Sequence, residues 1–341
     1  MDKGGLTLNI REKQEQKEKL DYSPYAALSM YSKGRVRKEQ ECDIRTCYQR
    51  DRDRILHCKA FRRMKDKTQV FMSPKGDHYR TRLTHTLLVS QTARTIAKAL
   101  ELNETLTEAI ALGHDLGHTP FGHAGEHVLD KLCEHGFRHY DQSIRVVESL
   151  EKNGAGLNLT YEVKDGIRNH STANMPETLE GKIVRLSDKI AYINHDIDDA
   201  IRGKVLTEED LPMEYTDVLG HTMRERINTM IRGIIIASNE KNDISMEMHI
   251  FDAMTGLRKF MFQNVYRHPL CIAQEQKVEH VIDCLYQYYY YHIDALPEFY
   301  QNQITCGTAI ETAVCDYIAG MTDHYAIEKF RDYYEPKFWM V

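Results

Sequence analysis

His114, Asp115, His118, His123 and Glu126 fall within one run of fourteen residues, from Gly113 to Glu126. Histidine is uncommon, so three of them beside two carboxylates carry a chemical signal. An adjacent histidine and aspartate supply one borderline nitrogen and one hard oxygen, a ligand mix suited to Mn, Fe, Mg or Zn rather than to a thiolate centre. A single such dipeptide often arises by chance. It gains weight here from His85 and Asp188, which lie on two other segments. The set His85, His114, Asp115 and Asp188 can hold one divalent ion and keep room for a water and a substrate oxygen.

Each ligand segment reads as helix. After His85, the residues Ala93, Ile96, Ala97 and Leu100 recur at i, i+3, i+4 and i+7, an apolar helical face. Thr105 with Glu108 predicts a capping box opening the next helix. Its Leu106 and Ile110 share a face that turns His114, four residues further on, toward the core. Around Asp188, the residues Leu179, Ile183, Leu186, Ile190, Ile193 and Ile197 step by four and three in turn. Asp188, Tyr192 and Asp196 form a separate stripe at i, i+4 and i+8, as in a helix with one face in a core and another on a cleft.

Eight prolines and long stretches of 3.6-residue period predict an all-α chain. Residues 1–54 read as an N-terminal arm and leading segment, of which the first 20 suit a mobile polar arm or a solvated helix equally. Residues 55–200 read as the catalytic core. Residues 201–341 read as a helical lobe packed on that core, with a connection over Arg202–Tyr215 and helices over Met223–Ile236 and Phe251–Tyr266. A net charge of −6 argues against a nucleic-acid binder held by bulk charge. The eight cysteines form no C-x-x-C pair and read as reduced, mostly buried thiols of a cytoplasmic protein. No apolar run suits a signal peptide or membrane span, so no membrane partner is expected.

Beyond the ligand set, several segments resemble one family. They are Ser23–Ala26, Arg50–Arg54, Lys67–Phe71, Gly76–His85, His114–Glu126, Asn194–Asp199 and Asp316–Asp323. In order and over nearly the whole chain, these resemble the HD-domain phosphohydrolases, and among them the deoxyguanosinetriphosphate triphosphohydrolase-like proteins. The resemblance implies an HD-domain helical bundle with a packed C-terminal lobe. It also implies one divalent ion per subunit (Mn, Mg, Fe, Ni or Zn) and hydrolysis of a dNTP to deoxynucleoside and tripolyphosphate. Other partners it suggests are a dNTP effector, weakly bound single-stranded DNA and further copies of the chain in a homo-oligomer.

By the same resemblance, His123 and Glu126 match the family's catalytic pair, with the carboxylate orienting the imidazole and raising its basicity. His118 and His139 match histidines that face the α-phosphate, although the family usually has Asn where Tyr140 stands. Gln69, Tyr192 and Asp196 match positions that read the sugar, with Asp196 suited to a 3′-hydroxyl and Tyr192 to excluding a 2′-hydroxyl. Arg82, one turn before His85, and Lys189, directly after Asp188, offer positive charge to the phosphates.

Blander readings stand beside these. His57, His78, His170 and His195 suit structural roles better than chemical ones. The basic stretch from Arg50 to Lys67 is interleaved with Asp51, Asp53 and Asp66, which fits a salt-bridged surface. The run Tyr288–Tyr291 fits a packed helix or subunit contact. Two functional classes remain: a metal-dependent dNTP triphosphohydrolase, and a nucleotide- or DNA-responsive regulator with little turnover. A third reading is an HD phosphohydrolase acting on other nucleotides.

Overall fold

The computed structural model describes residues 8–69 and 80–337. The matched positions Val70, Phe71 and Gly76–Tyr79, including His78, lie outside them. Sixteen α-helices and no strand occur among the described residues, so the chain is all-α as its periodicity predicts. In chain order they begin with α1 (Ile10–Asp21), α2 (Cys47–Leu56), α3 (Lys59–Arg63) and α4 (Arg82–Ala99). Next come α5 (Glu104–Gly113), α6 (Gly122–Leu132), α7 (His139–Arg145), α8 (Tyr161–Asn169) and α9 (Leu179–Arg202). Then follow α10 (Met213–Leu219), α11 (Met223–Ser238), α12 (Met248–Met261) and α13 (Pro269–Tyr291). The last are α14 (Glu298–Thr305), α15 (Ile310–Ala319) and α16 (Asp323–Tyr334).

Two apolar cores hold these helices. The first packs α4, α5 and α9 together through Ala93, Ile96, Leu106, Ile110, Ile190 and Ile193, all buried. Burying each large aliphatic side chain contributes about 1.5–3 kcal/mol. Helices α11 and α12 join the same core through Met230, Ile234, Leu257 and Met261. The second core joins α6 to α13 and α15 through Val128, Leu129, Ile282, Leu285, Val314 and Ile318. Helix α6, which begins at the histidine run, therefore rests on the C-terminal helices.

Local details decide one open reading and correct two expectations. Over its described part, the leading polar segment is a helix, the second of its two readings, and not a mobile arm. Asn9 and Glu12 cap each other's backbone at 2.9 Å, and Glu18 accepts Ser29 N–H at 2.7 Å. Helix α5 is capped not by Thr105 but by Asn103, whose side chain accepts from Thr105 and Leu106 N–H at 3.1 Å and takes the helix start two residues earlier. The cysteines are not all reduced, since Cys133 at the end of α6 is disulfide-bonded to Cys315 of α15. Of the six free ones only Cys58 is buried.

Other readings match the structure. Arg52 pairs with Glu108 at 3.2 Å and Arg54 with Glu39 at 2.7 Å, the salt-bridged surface expected of the basic stretch, whereas Lys67 at its end is buried against backbone carbonyls. In the tyrosine run, Tyr289 is buried and Tyr288 stacks on Tyr333 with centroids 3.9 Å apart. Among the described residues no helix is long and apolar enough to cross a membrane.

Candidate active site

Helices α4, α5 and α9 bring His85, His114, Asp115 and Asp188 to one point. His85 Nε2 lies 3.1 Å from Asp188 Oδ1, and His114 Nε2 lies 3.8 Å from the same oxygen. Asp115 Oδ1 is 3.3 Å from His114 Nε2, and its Oδ2 is 4.0 Å from His85 Nε2. Ligands about 2.1 Å from a shared ion stand about 3 Å apart when they subtend a right angle, so these separations suit one ion. His114 adds a sharper test. Its Nδ1 donates to Ala111 O at 2.7 Å, which leaves Nε2 bare, and that nitrogen is buried without a hydrogen-bond partner. An orphaned imidazole lone pair costs free energy unless a cation or donor meets it. The donor set therefore fits a divalent metal.

The charges agree. Burial alone would raise both aspartates, yet His114 and Arg82 hold Asp115 well below the ordinary range, and His85 and His114 do the same for Asp188. Arg82, itself buried, reaches Asp115 Oδ2 at 2.6 Å. It thus orients a metal-ligand candidate as well as lining the cavity.

A second group adjoins the first. Glu126 accepts from His123 Nδ1 at 3.0 Å, and from both the backbone N–H and Nδ1 of His139 at 2.9 Å. These bonds outweigh burial and keep Glu126 ionised. Enclosure by the cavity walls opposes protonation of His123, but the hydrogen bond and charge of Glu126 win and raise its pKa. With Nδ1 committed, its Nε2 is free, and the side chain is 69% exposed. His118 stacks on His139 with centroids 3.9 Å apart and approaches Asp115 Oδ1 at 3.3 Å. Burial, and then Arg82 and His139, hold His118 neutral.

His170, read from sequence as structural, belongs to this group. It is buried, and its Nε2 lies 3.2 Å from His139 Nε2. Because its Nδ1 donates to Ile167 O at 2.7 Å, its Nε2 accepts and His139 donates. Val163, Ile167 and His170 follow i, i+4, i+7 spacing, which was the available signal for an inward ring. His195 is also buried, edge-on to His85.

Asp115 and Asp188 of the first group line one cavity of ≈ 1660 Å³ with the second group. Gln69, Lys189, Tyr192 and Asp196 line it too, together with Arg185, Arg258 and Tyr266, which sequence reasoning missed. Burial and then the neighbouring Arg185 and Arg258 lower the Lys189 pKa, a sign of concentrated positive charge. Deeper in, Tyr266 donates its hydroxyl to Asp196 Oδ2, and Asp196 Oδ1 is buried without a partner. Burial raises Asp196 to about 7. Arg258 and Tyr266 lie on α12 and the turn after it, with no local motif to mark them. Tyr140 also lines the cavity, its ring edge-on to His139.

Known proteins resemble this chain in sequence and in fold. Residues 82–193 match the HD domain, and residues 244–332 match the phosphohydrolase-associated domain. The chain is 58% identical over 333 residues to a deoxyguanosinetriphosphate triphosphohydrolase-like protein of Caldanaerobacter subterraneus, covering 97% of this chain and 98% of that one. It is 49% identical to a protein of the same name from Clostridium perfringens, covering 98% and 100%. A phosphohydrolase crystal structure from Bacteroides thetaiotaomicron shares the fold at 14% identity with a TM-score of 0.53, covering 82% of this chain and 69% of that one. The chain belongs to the HD-domain phosphohydrolases, in the deoxyguanosinetriphosphate triphosphohydrolase-like family.

Proposed function

We propose that this phosphohydrolase cleaves deoxynucleoside triphosphates of the dGTP type at the α-phosphorus to give deoxynucleoside and tripolyphosphate. One observation carries the reading: Asp115 and Asp188 of the metal-ligand set, the His123–Glu126–His139 group, a wall of cations and the Asp196–Tyr266 pair line the same cavity. A triphosphate needs cations and a sugar needs an acceptor, and a cavity of this size accommodates both.

In this reading, His85, His114, Asp115 and Asp188 hold the ion, which supplies Lewis-acid polarisation of a phosphoryl oxygen. Lys189, Arg185 and Arg258 neutralise the phosphates and bind the tripolyphosphate that leaves. His123 delivers a proton from Nε2 to the 5′-oxygen of the departing deoxynucleoside, with Glu126 holding the ring through Nδ1. His139, held through both ring nitrogens by Glu126 and His170, stacks on His118 and lines the α-phosphate side of the cavity. Neutral His118 packs between His139 and Asp115 and excludes water. Asp196 accepts the 3′-hydroxyl, and Tyr192 closes the space a 2′-hydroxyl would need. Gln69 completes the sugar side.

Incubating the protein with Mn or Mg and a panel of deoxy- and ribonucleotides tests this directly. Tripolyphosphate and deoxynucleoside from deoxynucleotides, with little turnover of ribonucleotides, is expected. Deoxynucleoside diphosphate and orthophosphate as products would overturn the assignment of the α-phosphorus. Tight binding without turnover under any metal would favour the regulatory reading.

A further inference from the structure

The loop between His118 and His123 is held from outside the catalytic helices. Phe121 (φ 63°) and Gly122 (φ 59°) occupy the left-handed region in succession. For Phe121 that conformation is unfavourable, because its Cβ crowds the next carbonyl. Such a residue persists only where its surroundings over-determine it. Here the surroundings are supplied by Asp323, the first residue of α16 and about 200 positions away in sequence.

Asp323 Oδ1 accepts Phe121 N–H at 2.8 Å, and Oδ2 accepts Thr68 N–H at 2.9 Å together with the Thr68 hydroxyl. One carboxylate therefore binds two segments at once with charge-assisted bonds. The neighbouring contacts close the assembly. A Cβ on Gly122 would stand 2.7 Å from Gln69 O, so the turn is pressed against that carbonyl. The same oxygen accepts from Arg82 at 3.0 Å, and Arg82 in turn holds Asp115 at 2.6 Å. Beside it, buried Lys67 donates to Ala319 O at 2.7 Å and to His118 O. Hydrogen bonds thus run from Asp323 on the C-terminal helix through Thr68 and the adjoining Gln69 carbonyl to Arg82 and Asp115, a metal-ligand candidate, and the Phe121 turn is tied to the same carboxylate.

We propose that Asp323 is a positioning residue. Its carboxylate fixes the Phe121–Gly122 turn against Thr68, and so sets His123 relative to the metal-ligand set. The C-terminal lobe then contributes to the geometry of the active site and not only to its packing. This inference rests on the hydrolytic reading of the cavity. A purely structural role for Asp323 is the rival, since an acidic residue in the first turn also stabilises α16.

Kinetics and hydrogen–deuterium exchange of Asp323→Asn, Asp323→Glu and Asp323→Ala separate the two, with Asp332→Asn on the same helix as control. In Asp323→Asn, kcat should fall about tenfold or more with KM changed less than about twofold and bound metal unchanged. Amide exchange over residues 117–125 should rise about tenfold or more, while exchange around Asp188 stays put. Asp323→Glu should recover part of both, and Asp332→Asn should match wild type. A folded Asp323→Asn with unchanged kcat, or with slower turnover but unchanged exchange over 117–125, would overturn the proposal. Should Asp323→Ala not fold, the Asn and Glu variants decide. Wild-type inactivity on every deoxynucleotide would refute the hydrolytic reading alone, and the exchange measurement would still decide the clamp.

Discussion

At the scale of single residues, protons and lone pairs define what the site can do. The bare Nε2 of His114 needs a cation, and the free Nε2 of His123 can carry a proton because Glu126 holds the other nitrogen. If His123 protonates the leaving oxygen, His123→Ala should lose about 10²–10⁴ in kcat, the range of general acid–base groups. Metal content should be unchanged, and a loss confined to KM would reduce His123 to a binding role. Asp196 makes a second prediction. Burial raises its carboxyl to about 7, so it is neutral below that pH and ionised above it. The ionised form is the stronger acceptor for a sugar hydroxyl. KM for a deoxynucleotide should therefore fall as pH rises through 7, and Asp196→Asn should flatten that dependence. An unchanged KM–pH profile in the variant would remove Asp196 from sugar binding.

At the scale of elements, the catalytic loop depends on close backbone approaches. A Cβ on Gly117 would meet Ser143 N at 2.2 Å and His139 O at 2.5 Å, both backbone atoms of α7. Gly117→Ala must displace the helix that presents His139, so it should destabilise the fold by about 1–3 kcal/mol and depress kcat together. Denaturant midpoints and rates measured side by side check this, and a variant with wild-type values for both would contradict it. The same scale explains what was legible in the sequence. Ile183, Ile190, Ile193 and Ile197 read directly as the buried seam of α9, because one helix carries the whole pattern. The segments bearing His85, His114 and Asp188 were readable for the same reason. The α5 cap was misread because Asn103 and Thr105 compete for one helix start, and spacing does not decide between them. Arg258, Tyr266 and His170 reach the cavity only through tertiary packing. Of these, only His170 left a periodic trace.

At the scale of the molecule, two apolar cores and one polar network join residues far apart in sequence. Asp316 accepts from Gln142 at 2.8 Å and from Arg145 at 2.9 Å, while the Cys133–Cys315 bridge ties α6 to α15. Both connect the C-terminal helices to the elements bearing His123 and His139. Sequence periodicity reveals each helix but not which long-range pairs form, and the thiol reading failed because Cys133 and Cys315 are 182 residues apart. The central claim, water attack at the α-phosphorus, is tested most directly by turning over dGTP in ¹⁸O-labelled water and following products by ³¹P NMR and mass spectrometry. The account predicts one ¹⁸O in the tripolyphosphate and none in the deoxyguanosine. Label in the deoxyguanosine, or label in orthophosphate beside dGDP, would contradict it.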